Sequence, residues 1–288
     1  MTRGPQNHLL VPAHVNGKPA NLLLDTGAVI NFFQKDRAER FGLRLTGDEL
    51  RSAGHSFPAG AINDLQVGSM SFGPAEVALF DRAQFRGPVP GPRGQAADGI
   101  IGLDLLRKHR AIINCRTQQL FFASTGARSL DLAATTRALG FTRVPLESTA
   151  RGFISVPCTI GSKAGALAID TGAFVTVFDA ATIASLMLER DPSSLTARTA
   201  GGRVRALELT RIEHLRIGGV PVPPQRFAVM DMFPKKKPLR TFTGINKLEL
   251  YDARALKARL DIWGLLGNEL LYQHHAIIDL DGMALYLK

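Results

Sequence analysis

Two aspartates in this sequence stand in the same unusual setting. Asp25 ends the apolar run in "LLLDTGA" (22 to 28) and Asp170 ends the run in "LAIDTGA" (167 to 173), each followed by Thr-Gly-Ala. A carboxylate set against an apolar strand loses hydration, so it must be neutralised, hydrogen-bonded or employed chemically. A single such residue reads as a strand-end turn cap. Two, if brought together, make a different device: paired carboxylates that share one proton, one able to accept a proton and the other to donate one. That is the chemistry needed to add water to an amide without a covalent intermediate.

The surrounding elements are repeated along with the aspartates. At an offset of 145, residues 11 to 33 lie over 156 to 178 with 9 of 23 positions identical, including Val11-Pro12 on Val156-Pro157 and Lys18 on Lys163. An offset of 150 aligns 65 to 81 with 215 to 231, and an offset of 165 lays "GIIGLDLLRKHRAII" (99 to 113) over "GLLGNELLYQHHAII" (264 to 278). Three collinear blocks indicate a duplicated domain with the same fold in each half. We assign residues 1–130 to the first lobe, 131–140 to a linker and 141–288 to the second lobe, which carries a basic insertion at 232–263. Asp131 is placed to cap a short linker helix and Gly140 to end it.

Each half reads as mainly β. "HLLVPAHV" and "ANLLLDTGA" flank the turn signal "NGKP", and "GFISVPCTI" and "GALAIDTGA" flank "GSK". Short helices are expected in "QKDRAERFGL" and "DAATIASLML", then Gly-rich hairpins at 51–64 and 197–210. A Gly-apolar-apolar-Gly turn leads into helices at 103–109 and 268–274, followed by a closing strand pair that is clearest in "AIIDLDGMALYL". "FRGPVPGPRGQ" (85 to 95) reads as a surface loop, and "YDARALKARL" as a helix in the insertion.

These ordered landmarks, an apolar strand ending in Asp-Thr-Gly-Ala, a Gly-rich hairpin, and a glycine turn opening a helix, resemble those of retropepsin-like aspartic proteases. The resemblance covers nearly the whole chain in two copies and is nearest to single-chain, tandem-lobed bacterial members, with pepsins more distant. It implies two homologous retropepsin-like β-barrel lobes related by a pseudo-twofold axis, with an active-site cleft between them and hairpin flaps above. It further implies an aspartic endopeptidase whose catalytic residues are Asp25 and Asp170. Thr26 and Thr171 would exchange hydrogen bonds across the axis, and Gly27 and Gly172 would admit close backbone approach. Ala28 and Ala173 lack the hydroxyl common in pepsins, which can depress a neighbouring carboxyl's pKa; an optimum less acidic than pepsin's is therefore expected. Because one chain holds both aspartates, a functional monomer is expected, an intramolecular pseudo-dimer acting on a peptide or protein substrate. The rival reading is a catalytically silent peptide-binding or scaffolding protein on the same fold.

Other residues carry less. The seven histidines are scattered and lack an HExxH-type spacing, so no metal and no cofactor is expected. Asp98 and Trp263 precede matching glycines and are expected to differ for packing reasons, whereas Asp104 and Glu269 should favour the first turn of their helices. Cys115 and Cys158 read as two buried thiols, an inter-lobe disulfide being the alternative. The chain carries a net charge of +10, but aromatics make up only 7% of it. Nucleic acid is not expected as a partner, since the basic run at Lys235 to Lys237 lacks interleaved stacking residues. It reads as a solvated loop, or else as a bias toward acidic substrates or anionic surfaces. No apolar stretch approaches the length of a membrane span, so no stable membrane insertion is expected. Location is open on the residues: "MTRGPQNHLL" lacks signal-peptide character, while the resemblance points to an exported, periplasmic mature form, a cytoplasmic location being the alternative.

Overall fold

In the computed structural model the triple leucine becomes a strand buried on both faces. Within Lys18–Leu24, Leu22 and Leu24 enter the main core while Leu23 joins a second apolar cluster with Phe32, Phe57, Phe80 and Ile100. A strand covered on both faces can be continuously apolar, and this one ends where Asp25 begins. The structure describes residues 1–4, 7–52, 55–81, 97–124, 126, 132–149, 152–198, 204–232 and 262–288. The proline-rich loop at 85–95, the cap at Asp131 and most of the basic insertion with its helix lie outside these residues.

Two sheets repeat one strand order. The first runs Arg44–Ser52, His55–Ile62, Ala75–Phe80, Phe32–Gln34, Gly99–Ile101, Lys18–Leu24, Leu9–Val15, Leu65–Val67, Met70–Ser71. The second runs Asp191–Arg198, Val204–Ile212, Gln225–Met230, Val177–Asp179, Ile262–Leu266, Lys163–Ile169, Ile154–Ile160, Leu215–Ile217, Val220–Pro221. Even the two-residue strands off these paths correspond, Thr2–Arg3 in one and Glu147–Ser148 in the other. In each sheet the strand leading into the glycine turn lies between the aspartate strand, to which it is parallel, and its antiparallel neighbour.

A third sheet of five strands joins the halves. Its order is Gln119–Phe121, Ile112–Asn114, Ile277–Asp279, Ala284–Leu287, Thr142–Pro145. At its centre Ile113 pairs with Ile278, with Ile112 opposite Asp279 and Asn114 opposite Ile277. Since Ile278 is the duplicate of Ile113, this is a self-complementary contact across a twofold, made within one chain. The main apolar cluster likewise contains residues of both halves, so the lobes share a continuous core.

Several local expectations need adjustment. The hairpins expected at 51–64 and 197–210 begin earlier, at Arg44 and Asp191. Most residues of Arg44–Ser52 are exposed, so the strand shows no in-and-out alternation that would distinguish it from a loop. The helix expected in "QKDRAERFGL" is a 3-10 turn, Lys35–Arg37, and a four-residue helix, Ala38–Phe41, stopped by Gly42 at φ +64°. The connecting helix spans Leu132–Ala138 and ends at Gly140, φ +81°. Cys115 and Cys158 are both free and buried, and burial pushes each thiol up to about 12.

Candidate active site

The two Asp-Thr-Gly-Ala loops meet back to back at the pseudo-twofold. Each aspartate is anchored to its own lobe's glycine-turn strand: Asp25 N donates to Ile101 O at 3.1 Å and Asp170 N to Leu266 O at 3.0 Å. The threonines behind them are fully buried and interlocked. Thr26 N donates to Thr171 Oγ1 at 3.0 Å and Thr171 N to Thr26 Oγ1 at 3.1 Å. Each hydroxyl then donates across the axis, Thr26 to Ile169 O and Thr171 to Leu24 O, both at 2.8 Å. Four bonds thus tie each aspartate strand to the opposite loop, and each hydroxyl uses both its donor and its acceptor capacity.

The carboxyls sit in matched backbone cradles. Asp25 Oδ1 accepts from Gly27 N at 2.8 Å and Ala28 N at 3.1 Å; Asp170 Oδ1 accepts from Gly172 N at 2.8 Å and Ala173 N at 3.0 Å. The glycines are demanded by close approach across the axis. A Cβ added at Gly27 would lie 2.6 Å from Asp170 Cγ, and one at Gly172 would lie 2.5 Å from Asp25 Oδ1. Each carboxyl therefore rests on the other loop's glycine, which sets the two within hydrogen-bonding reach of each other.

Their electrostatics follow from this confinement. Loss of hydration pushes Asp25 well above the usual carboxylate range, and the neighbouring Asp170 charge and the hydrogen bond between them push it further. Asp170 is also raised by desolvation, but acceptance of that bond and of its backbone donors pulls it back. Two carboxylates this close cannot both ionise readily, so the pair retains a proton at a pH where an isolated aspartate has lost it.

Below each loop the glycine turn and helix act as a support. Leu103 N donates to Ala28 O at 2.7 Å and Asp104 N to Val29 O at 2.9 Å; in the other lobe Asn268 N donates to Ala173 O at 2.9 Å. Gly102 N is received by Asn31 Oδ1 and Gly267 N by Thr176 Oγ1. Ala28 is buried beside this support. Glu269 accepts from Thr176 N at 2.6 Å, whereas Asp104 accepts from Leu105 N at 2.6 Å in its own first turn. Asp98 differs from Trp263 for more than packing. It is buried, accepts from Asn21 N and pairs with Arg37 at 3.2 Å and Arg40 at 3.4 Å, while Trp263 packs over Gly165. His109 lies against Phe72, and His274 is buried elsewhere on the lobe-two helix end. Among the described residues, no group of three or more His, Cys, Asp or Glu is gathered as a metal site would require. No helix among them is long and apolar enough to cross a membrane.

The profile of the aspartyl protease family matches this chain twice, over residues 11–105 and 156–270. The chain belongs to the aspartyl protease family. Each match contains one of the two aspartate loops and its glycine turn, so the family unit is present in duplicate, in two retropepsin-like lobes. Over 119 residues the chain is 29% identical to DNA damage-inducible protein 1 of Yarrowia lipolytica, a stretch covering 39% of this chain and 27% of that protein. The chain thus spans about a quarter of the length of that curated relative. Similar solved structures include the retroviral protease-like domain of Ddi1 from Leishmania major, 22% identical over 41% of this chain and 89% of that one, TM-score 0.30. A retropepsin-like aspartic protease from Rickettsia conorii is 20% identical over 39% and 78%, TM-score 0.28. The aspartic proteinase of Irpex lacteus is 14% identical over 96% and 93%, TM-score 0.47.

Residues that the motif pattern did not expose also reach the site. His8 Nε2 lies 2.9 Å from Gly172 O, Asn7 Nδ2 donates to Phe174 O at 3.1 Å, and the Asn268 side-chain amide donates to Thr171 O. Their signal in the sequence is a mismatch between the copies. Offsets of 145 and 165 place Phe153 opposite His8 and Leu103 opposite Asn268.

Proposed function

We propose that the chain is an aspartic endopeptidase in which Asp25 and Asp170, one from each lobe, activate water for peptide-bond hydrolysis. The observation that carries this reading is the meeting of the two carboxyls, each seated on the opposite loop's glycine and within hydrogen-bonding reach of the other. The charged carboxylate takes a proton from water as its oxygen attacks the carbonyl carbon, and the protonated carboxyl gives its proton to the carbonyl oxygen. A neutral gem-diol results. On collapse, the proton taken from water passes to the leaving amine while the other returns to the carboxyl that donated it, restoring the starting state. No cofactor enters this scheme. Because both aspartates belong to one chain, the active species is a monomer, and the substrate is a peptide or protein segment lying between the lobes.

The pair's raised proton affinity supports activity at a less acidic pH than pepsin's, in keeping with alanine at positions 28 and 173. The test is cleavage of denatured protein from pH 3 to 8, with binding of a statine-type inhibitor, for the intact protein and for Asp25→Asn. Cleavage and tight inhibitor binding, both abolished by the substitution, support the enzyme. If nothing is cut at any pH and Asp25→Asn leaves ligand binding intact, the chain is a silent peptide binder. A pH profile peaking near pH 2 would contradict the role given to the alanines.

A further inference from the structure

The two halves of the carboxyl pair are built alike in front and differently behind. Asp170 Oδ1 is held by the N–H groups of the Thr171–Gly172 and Gly172–Ala173 peptides. The carbonyls of those same two peptides each receive a side-chain donor, Asn268 Nδ2 on Thr171 O and His8 Nε2 on Gly172 O. A carbonyl only accepts, so Nε2 of His8 carries the proton; Nδ1 is buried without a hydrogen-bond partner among the described residues. A donor on a peptide's oxygen polarises that peptide and strengthens donation from its N–H.

Among the described residues, no side-chain donor meets the first lobe's two equivalent carbonyls. The equivalence of positions 8 and 153 is structural as well as sequential: Gly4 N donates to His8 O at 2.9 Å, and Thr149 N donates to Phe153 O at 2.8 Å. The arms also reach across the axis in matched fashion, Asn7 onto Phe174 and Gly152 onto Val29, again a pair 145 apart. Phe153 thus stands where a donor to Gly27 O would, and Leu103 stands where a donor to Thr26 O would. Neither side chain can donate.

We propose that His8 and Asn268 are positioning residues that make the pair unequal, holding Asp170 as the charged member, which takes the proton from water, and leaving the shared proton on Asp25. This deepens, and for its catalytic meaning rests on, the reading of the pair as a protease dyad. Among the described residues, the titratable and charged groups around this apparatus are Asp25 across the axis, Glu269 next to Asn268, and Arg3, whose guanidinium donates to Asn268 O and stacks on Tyr272. Burial lowers the proton affinity of His8, which keeps it a neutral single donor.

The test is a carbon-13 NMR titration of the two carboxyls in the full chain, assigned with Asp25→Asn and Asp170→Asn, without substrate. His8→Phe and Asn268→Leu copy the first lobe's residues. Each should raise the lower of the two titration steps, and the acidic limb of any pH–rate profile, by roughly 0.2 to 0.7 pH unit, while His8→Gln, which keeps a donor, restores most of the His8→Phe shift. Phe153→His, made in the otherwise intact protein, should draw Asp25 downward and narrow the inequality, and it serves if the other variants do not fold. Unchanged titrations in folded His8→Phe and Asn268→Leu, or in folded Phe153→His, overturn the proposal, as does a resting proton on Asp170 in the unsubstituted protein. If the shifts occur but no variant cleaves peptide, the protease reading fails and the inequality stands.

Discussion

Replacing Gly27 with alanine adds one methyl group where one aspartate loop presses against the opposite carboxyl. The new Cβ would lie 2.6 Å from Asp170 Cγ and Oδ1 and 2.7 Å from Oδ2, inside contact distance for all three atoms. Restoring an ordinary separation of about 3.4 to 4 Å requires the carboxyl to retreat by roughly 1 Å. Asp170 cannot retreat without stretching its bonds from Gly172 N at 2.8 Å and Ala173 N at 3.0 Å. Hydrogen bonds to a charged group contribute about 1.5 to 3 kcal/mol each, and partial loss of two gives about 2 to 4 kcal/mol of lost transition-state stabilisation. That corresponds to roughly a 30- to 1000-fold fall in kcat/KM. The assay is continuous cleavage of a quenched fluorescent peptide at the pH optimum, with circular dichroism to show that the fold persists. Gly172→Ala should behave similarly against Asp25. A folded Gly27→Ala protein within threefold of the parent would refute the contention that each carboxyl needs the opposite glycine.

Asp25→Asn should stabilise the protein increasingly as pH rises. The folded-state proton affinity of Asp25 is raised, so the stability linked to its proton is fully present below the unfolded carboxyl's pKa and is lost as pH rises through the folded value; asparagine has no such loss. Thermal unfolding of both proteins at pH 4 and 7.5 checks this, and a difference that is constant or favours the parent more at 7.5 contradicts it. Thr26→Val should lower stability by about 2 to 4 kcal/mol, because it removes a buried hydroxyl that both donates to Ile169 O and accepts from Thr171 N. Thr26→Ser should retain most of that stability; equal urea midpoints for the valine and serine variants would mean the interlock contributes little.

The repeat made much of the fold legible because a duplicated domain must satisfy the same burial pattern twice. The apolar strands, both glycine turns and the helices after them were readable from periodicity and turn residues. The first strand of each flap hairpin was not, since most residues of Arg44–Ser52 are solvent-exposed and give no alternation. Asp98 was legible as a place where the copies differ, but its partners Arg37 and Arg40 are brought beside it only by folding.

Within the site, the sequence by itself determined that two aspartates would occupy identical turns, because the Asp-Thr-Gly-Ala geometry is local and survives in both copies. It also determined the symmetric parts of the meeting, since threonine and glycine at matched positions can interlock only reciprocally. Which half is more polar was decided by the tertiary structure. His8 lies 164 residues from Gly172 and Asn268 lies 97 from Thr171, and no local rule connects a side chain to a carbonyl that far along the chain. Packing two lobes about an axis delivers the His8 arm to the other lobe's loop, while Asn268 reaches Thr171 through the fold of its own lobe, so substitutions that are harmless within one copy become electrostatic differences between the two carboxyls.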